Sequence, residues 1–225
     1  MSKVNLILPT VVAIDGPSGC GKGTAGLYVA KDLGYHYLDS GKWYRAVALK
    51  SQLLKISPED APSLEVIAKE IHVELRDDLV LIDGVDYAQI ISTEEIGALA
   101  SVVGGHAVVR DAIHTHELGM RKHPGLVVDG RDAGRVFDTP YRFFIKTDVR
   151  MRALWRCKQL QTKGVRTDYQ TVLKQLRTRD NADITRKINP LLQHKDSIVI
   201  DNTLFKHKDD LGKEILKHLM LLGVK

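Results

Sequence analysis

Val11–Thr24 reads VVAIDGPSGCGKGT, and the fold is decided there. Val11, Val12 and Ile14 make a short β-branched apolar run, the pattern of a buried strand, which Asp15 and Gly16 end. Gly16, Gly21 and Lys22 then stand at the spacing GxxxxGK of a phosphate-binding loop. A chain that wraps a polyphosphate turns successive backbone N–H groups inward, and glycines permit the φ values and the close approach this needs. Lys22 adds a cation, and the helix that follows adds its positive end. The hydroxyl comes one residue later than in the common form, since Gly23 follows Lys22 and Thr24 comes next. Gly16, Pro17, Ser18, Gly19, Cys20, Gly21, Lys22, Gly23 and Thr24 are thus the candidate polyphosphate site.

From this loop the pattern spreads in both directions. A helix is expected over Thr24–Leu33, with Leu27, Val29, Ala30 and Leu33 inward and Gly34 as its stop. Apolar strands are expected near residues 11–15, 35–39, 126–129, 143–147 and 197–201, with helical stretches between them. That alternation predicts a parallel sheet with right-handed crossovers, whose ligands collect at the carboxyl ends of the strands. The texture changes between His72 and Tyr87. Short strands there are joined by Asp77-Asp78 and Asp83-Gly84, the latter a hairpin signal, so a small antiparallel insert is expected. Further helices are expected at Leu64–Ile71, Thr93–Val103, Val108–His123, Arg150–Lys163, Asp168–Ile184 and Leu211–Leu222.

Size and composition agree with this reading. The 225 residues suit one α/β domain with an insertion, and 44% hydrophobic with 27% charged residues is ordinary for a water-soluble core. The net charge of +5 suits phosphate-bearing partners. Cys20 and Cys157 read as reduced thiols, the usage of a cytoplasmic protein. Val4–Ile14 is apolar, but Asn5 and Pro9 interrupt it, and cleavage there would remove the loop's strand, so no leader is expected. No run of 18 apolar residues marks a membrane span. No basic stretch interleaved with aromatics supports stacking on single-stranded nucleic acid. Neither HExxH, CxxC nor a GxSxG elbow occurs.

Three constellations call for a second substrate beside the polyphosphate. Asp39-Ser40-Gly41, with Tyr44-Arg45 behind it, puts an acid, a hydroxyl and an arginine at one strand end; a plain turn or helix cap has the same composition. Asp129-Gly130-Arg131-Asp132 puts a guanidinium fork and two carboxylates at another. Arg179, Asp183 and Arg186 fall on one helical face, as a solvated ladder of ion pairs would too. Arg152, Arg156 and Lys158 lie on the helix after the fourth strand, where they can close over a triphosphate.

Assembled, these residues resemble the bacterial cytidylate kinase family, a branch of the nucleoside-monophosphate kinases. The segments that carry the resemblance are GPSGCGKGT at Gly16–Thr24, DSGKWYR at Asp39–Arg45, Ser101 with Arg110, DGRDAG at Asp129–Gly134, QLQTKG at Gln159–Gly164, and the Arg179–Arg186 pattern. The Gly23-Thr24 ending is the nucleoside-monophosphate kinase form of the loop. The resemblance implies an α/β fold with a five-stranded parallel sheet flanked by helices. It implies a core of residues 1–62, 111–150 and 190–225, a monophosphate-binding insert at 63–110 and a helical lid at 151–189. The implied reaction is ATP + CMP (or dCMP) → ADP + CDP (or dCDP), with Mg²⁺ accompanying ATP. By position, Gly16–Thr24 hold ATP, and Lys22, Arg131 and Arg156 are catalytic. Ser40, Arg45, Arg131 and Arg186 face the phosphate and sugar of CMP, and Asp39 and Asp129 belong to the CMP-binding set. Ser101, Arg110 and Asp132 read cytosine, and Arg179 with Asp183 the ribose. Where the family shows an arginine pair in the lid helix, this chain has Trp155-Arg156, and Ser92 stands where the insert usually has an arginine. Alternatives are a kinase for UMP or AMP and, from another class, a P-loop module that uses ATP as a switch or binds nucleic acid. One chain suffices for this site, so a monomer with small-molecule partners is expected.

Overall fold

Val11, Val12, Ala13 and Ile14 are all within 1% of full burial, which a strand attains only with neighbours on both edges and layers on both faces. The computed structural model describes residues 8–76 and 79–224. In chain order its elements are β1 (Thr10–Asp15), α1 (Lys22–Leu33), β2 (His36–Asp39), α2 (Ser40–Leu53), α3 (Ala61–Glu70), β3 (Val73–Arg76), β4 (Leu79–Ile82), β5 (Val85–Asp86), α4 (Ala88–Ile91), α5 (Glu94–Val103), α6 (Ala107–Gly119), β6 (Gly125–Gly130), α7 (Ala133–Val136), β7 (Tyr141–Lys146), α8 (Val149–Thr162), α9 (Tyr169–Thr185), β8 (Ile198–Asp201) and α10 (Asp210–Leu221).

Five strands form one parallel sheet in the order β2-β6-β1-β7-β8. Alternation along β1 divides the core. Val11 and Ala13 face one layer with Leu38, Val47, Ile113 and Val128, while Val12 and Ile14 face the other with Val29, Ile145, Leu211 and Ile215. Register then determines what meets at the carboxyl edge. Asp39 pairs with Asp129, and Asp15 pairs with Gly130. The three strand ends that carry the sequence motifs are therefore side by side.

The insert is a three-stranded antiparallel sheet, β3-β4-β5, packed with helices against the α2–α6 layer. Asp83 and Gly84 turn between β4 and β5 with φ of 49° and 84°, the two left-handed positions that a two-residue hairpin requires. The Asp77-Asp78 turn and the apolar residues before Leu8 lie outside the described residues. Helices α8 and α9 pair around a small core of their own, made of Ala153, Leu160, Val172, Leu173 and Leu176.

Several local expectations shift. Helix α1 begins at Lys22, two residues early, and buries Lys22, Ala25, Gly26, Val29 and Ala30. Leu27 was expected inward but is 55% exposed, because it lies about 130° around the helix from the middle of that stripe. Helix α3 starts at Ala61, three residues before the expected Leu64. Pro62 sits in the first turn, where its missing N–H costs nothing, and Asp60 caps Ser63 N at 3.2 Å. Helices α4 and α7 were not anticipated; four residues are too few to show a period. Among the described residues no single helix is long and apolar enough to cross a membrane.

Candidate active site

The phosphate loop is built by neighbours as much as by its own glycines. Gly21 has φ of 96°, and a Cβ there would lie 2.5 Å from the Asn202 amide. Asn202 uses that amide to donate to the Cys20 carbonyl at 2.9 Å, and Thr147 Oγ1 donates to the same oxygen at 3.3 Å. Lys22 is 5% exposed, and its ammonium donates to the carbonyls of Gly16 and Pro17, both at 2.9 Å, and lies 3.6 Å from Cys20 Sγ. Burial lowers its pKa. Ser18 offers its carbonyl to Arg152, and Thr24 is exposed on the first helical turn. The Cys20 thiol is buried in the core behind the loop.

Asp129 and Asp39 stand at the loop's mouth. A Cβ on Gly23 would be 3.4 Å from Asp129 Oδ2, an oxygen that accepts from the Tyr37 hydroxyl at 2.5 Å. Burial, and then the Asp39 charge, push the Asp129 carboxyl up to about 7. Ser40 opens α2 just beyond and is buried.

A pocket runs from there between the sheet edge, α5 and α9. Its polar walls include Ser40, Ser101, Arg110, Arg131, Asp132 and Arg179, together with Asp183 and Arg186. Eight of the eleven residues expected around the monophosphate meet here; Asp39, Arg45 and Asp129 border the same edge. At the far end Arg110, 2% exposed, donates to Asp132 Oδ2 at 2.6 Å and to the Gly104 carbonyl at 3.1 Å, with its guanidinium 5.0 Å from the Tyr44 ring centre. His114 Nε2 lies 3.7 Å and Arg135 3.6 Å from the same Asp132 oxygen. Burial raises the Asp132 carboxyl, but Arg110, His114 and Arg186 together outweigh it and the net pKa is lowered.

The other end is an arginine cluster tied to one carboxylate. Arg131 Nε donates to Asp183 Oδ2 at 2.8 Å, and Arg186 Nη1 lies 3.6 Å from Oδ1. Arg179 sits beside them with its pKa lowered to about 10 by burial and by Arg131 and Arg45. Arg45 donates to the carbonyls of Ile91 and Thr93 at 2.7 and 2.9 Å. Gly97 is what lets these guanidiniums approach α5: a Cβ there would lie 2.6 Å from Arg45 Nη2 and 3.2 Å from Arg179 Nη1. The Nε atoms of Arg110 and Arg179 and Nη2 of Arg186 are buried with no hydrogen-bond partner. Donors left open in this way are matched to an anion.

The two arginines of α8 divide their work. Arg152, one turn before Arg156 on α8, donates to the Ser18 carbonyl at 2.9 Å and forms a fork with Asp180 at 3.1 and 2.6 Å. Arg156 instead pairs with Glu94 of the insert and with Gln159. The arginine against the phosphate loop is thus Arg152, and Arg156 bridges α8 and α5. Trp155 is half-buried and Ser92 exposed.

Two acids went unnoticed as site residues. Asp15 accepts from Ala133 N and Gly134 N, and burial raises its pKa to about 6. Glu117, 2% exposed, is hydrogen-bonded to Ser40, and burial raises it from 4.5 to about 7. No motif marks either; an acid in an otherwise apolar helical face was the available signal for Glu117. Its folded form holds a proton that the unfolded chain has released between roughly pH 4.5 and 7, so it makes stability fall as pH rises through that window. Glu117→Gln is expected to remove this part, about 3 kcal/mol. Urea melts of both proteins at pH 5 and 8 measure it, and identical pH dependence in the two rules it out.

Comparison with known proteins places the chain in a family. A protein from Paraburkholderia phymatum named cytidylate kinase is 40% identical over 195 residues, 86% of each chain. One of the same name from Paraburkholderia phytofirmans is 41% identical over the same shares. A solved structure from Thermus thermophilus aligns with 97% of this chain and 99% of its own at 19% identity and a TM-score of 0.44. The family profile described as cytidylate kinase matches residues 12–219, and with relatives this similar over most of its length the chain belongs to the cytidylate kinase family.

Proposed function

We propose that this chain transfers the γ-phosphoryl group of ATP to CMP or dCMP, giving ADP and CDP or dCDP. The observation that carries the reading is the Arg110–Asp132 pair with Ser101, facing a pocket whose other end gathers Arg131, Arg179 and Arg186. Cytosine offers an exocyclic amino donor beside two acceptors, which an acid or hydroxyl and an arginine match. The arginines match the acceptor phosphate, and the loop Gly16–Thr24 takes the triphosphate. Lys22, Arg131 and the lid arginines meet the charge on the transferring group. No general base is required, because the acceptor phosphate has a second pKa of about 6 and is largely ionised at neutral pH. The protein's work is positioning and neutralisation.

Mg²⁺ fits this site. Among the described residues no group of three or more His, Cys, Asp or Glu could cage a metal. Asp39 and Asp129 at the loop's mouth, where burial and then the Asp39 charge raise the Asp129 carboxyl, are the donors that would hold an ion brought by ATP. Such an ion neutralises phosphate charge. We assign residues 63–110 to the monophosphate-binding insert and 151–189 to the lid, on the rest as core; their separate sheet and separate small core support that division. Two free thiols and nucleotide substrates suit the cytoplasm, and one chain supplies every residue named.

Expected is ADP formation that depends on added CMP or dCMP, read in a coupled assay against a panel of monophosphates. Equal stimulation by AMP, or none by CMP, overturns the reading. ADP formation without any acceptor would favour an ATP switch.

A further inference from the structure

Asp132 opens helix α7 as its N-cap, yet its side chain makes no capping hydrogen bond. An aspartate in that position ordinarily turns back onto the first free N–H groups of its own helix. Here another residue has taken them. Asp15, at the end of β1, accepts from Ala133 N with Oδ1 at 2.8 Å and from Gly134 N with Oδ2 at 2.9 Å. Both oxygens of one carboxylate are spent on the two backbone donors that follow Asp132. Asp132 is left free to turn the other way, where Oδ2 meets Arg110 at 2.6 Å on the pocket wall. The substitution of one cap for another is built into the sheet register, since Asp15 pairs with Gly130 on the neighbouring strand. Gly134 is part of it, because a Cβ there would lie 3.3 Å from Asp15 Oδ2, just beyond the flexible Arg142 stem at 3.1 and 3.2 Å.

We infer that Asp15 is a positioning residue for base recognition: by capping α7 in place of Asp132, it frees the Asp132 carboxylate to face the pocket with Arg110. The inference rests on the reading that Asp132 faces cytosine. It also gives the residue that precedes Gly16 a function on the acceptor side rather than the ATP side.

The test is steady-state kinetics of Asp15→Asn, with CMP, UMP and ATP each varied. An asparagine amide keeps one acceptor and turns a donor toward the second N–H, so Asp132 is drawn back to cap its own helix. The expected result is a KM for CMP raised about 10-fold, as for a lost hydrogen bond to a charged group. The preference for CMP over UMP falls in parallel, and the KM for ATP stays within about twofold. In an Asp132→Asn background the same change should add little, because the two residues act as one unit. An unchanged KM for CMP, or an equal rise for ATP, overturns the inference. If Asp132→Asn itself leaves the CMP preference intact, the reading of Asp132 fails instead. Should Asp15→Asn not fold, Gly134→Ala approaches the same carboxylate from α7 without touching the loop. It is expected to raise KM for CMP about threefold and to leave ATP unmoved, and no change in either overturns the inference.

Discussion

Lys22→Ala is expected to lower kcat by about 10²–10³-fold while leaving CMP binding near its parent value. The ammonium lies inside the loop, 2.9 Å from the Gly16 and Pro17 carbonyls, and is 5% exposed. A charge held in so dry a place acts on a phosphoryl group with little screening, and its position is fixed before the reaction begins. Its partners are carbonyls and the Cys20 sulfur, so alanine strands no buried carboxylate directly bonded to it and the fold should survive. Turnover at saturating CMP, with CMP binding titrated separately, checks this. A kcat within tenfold of the parent takes Lys22 out of the mechanism.

Arg110→Met should act at the opposite end of the pocket. Methionine follows the arginine stem but deletes the 2.6 Å bond to Asp132, the bond to Gly104 O and the cation above Tyr44. Asp132 would then keep His114 and Arg135, both beyond 3.5 Å. Breaking a buried pair from one side costs about 3–5 kcal/mol. The expectation is a protein less stable by about 3 kcal/mol, with KM for CMP raised 100-fold or more and ATP affinity unaltered. Thermal denaturation and separate calorimetric titrations of the two nucleotides measure these quantities. An equal loss for both nucleotides would mean that the arginine holds the fold and reads no base.

How much of this was legible beforehand follows from what each feature depends on. All five parallel strands were readable, four as short apolar runs and β2 (His36–Asp39) from its place between Gly34 and the Asp39-Ser40-Gly41 turn. The face shared by Arg179, Asp183 and Arg186 was readable too, being a matter of helical spacing. What could not be read is what the register creates. Asp15 ends a strand as many acids do, and its role exists only because Ala133 and Gly134 arrive beside it, more than a hundred residues later. Arg152 and Arg156 have the same composition and lie on the same helix. Which of them reaches Ser18 depends on how α8 is laid across the loop. Glu117 looked like one more charge on an amphipathic helix until Ser40 came within hydrogen-bonding reach.

The cluster at Asp183 also has an ionic-strength side. Three guanidinium groups, from Arg131, Arg179 and Arg186, gather around one carboxylate, which leaves two positive charges in excess. Each of these charges is held partly out of water and close to its like neighbours, so the resting pocket stores repulsion that a doubly charged acceptor relieves. On the reading proposed above, the acceptor's phosphate is thus both nucleophile and counterion. A nucleoside without it finds a pocket whose charges still push apart, and added salt competes for the place the phosphate fills.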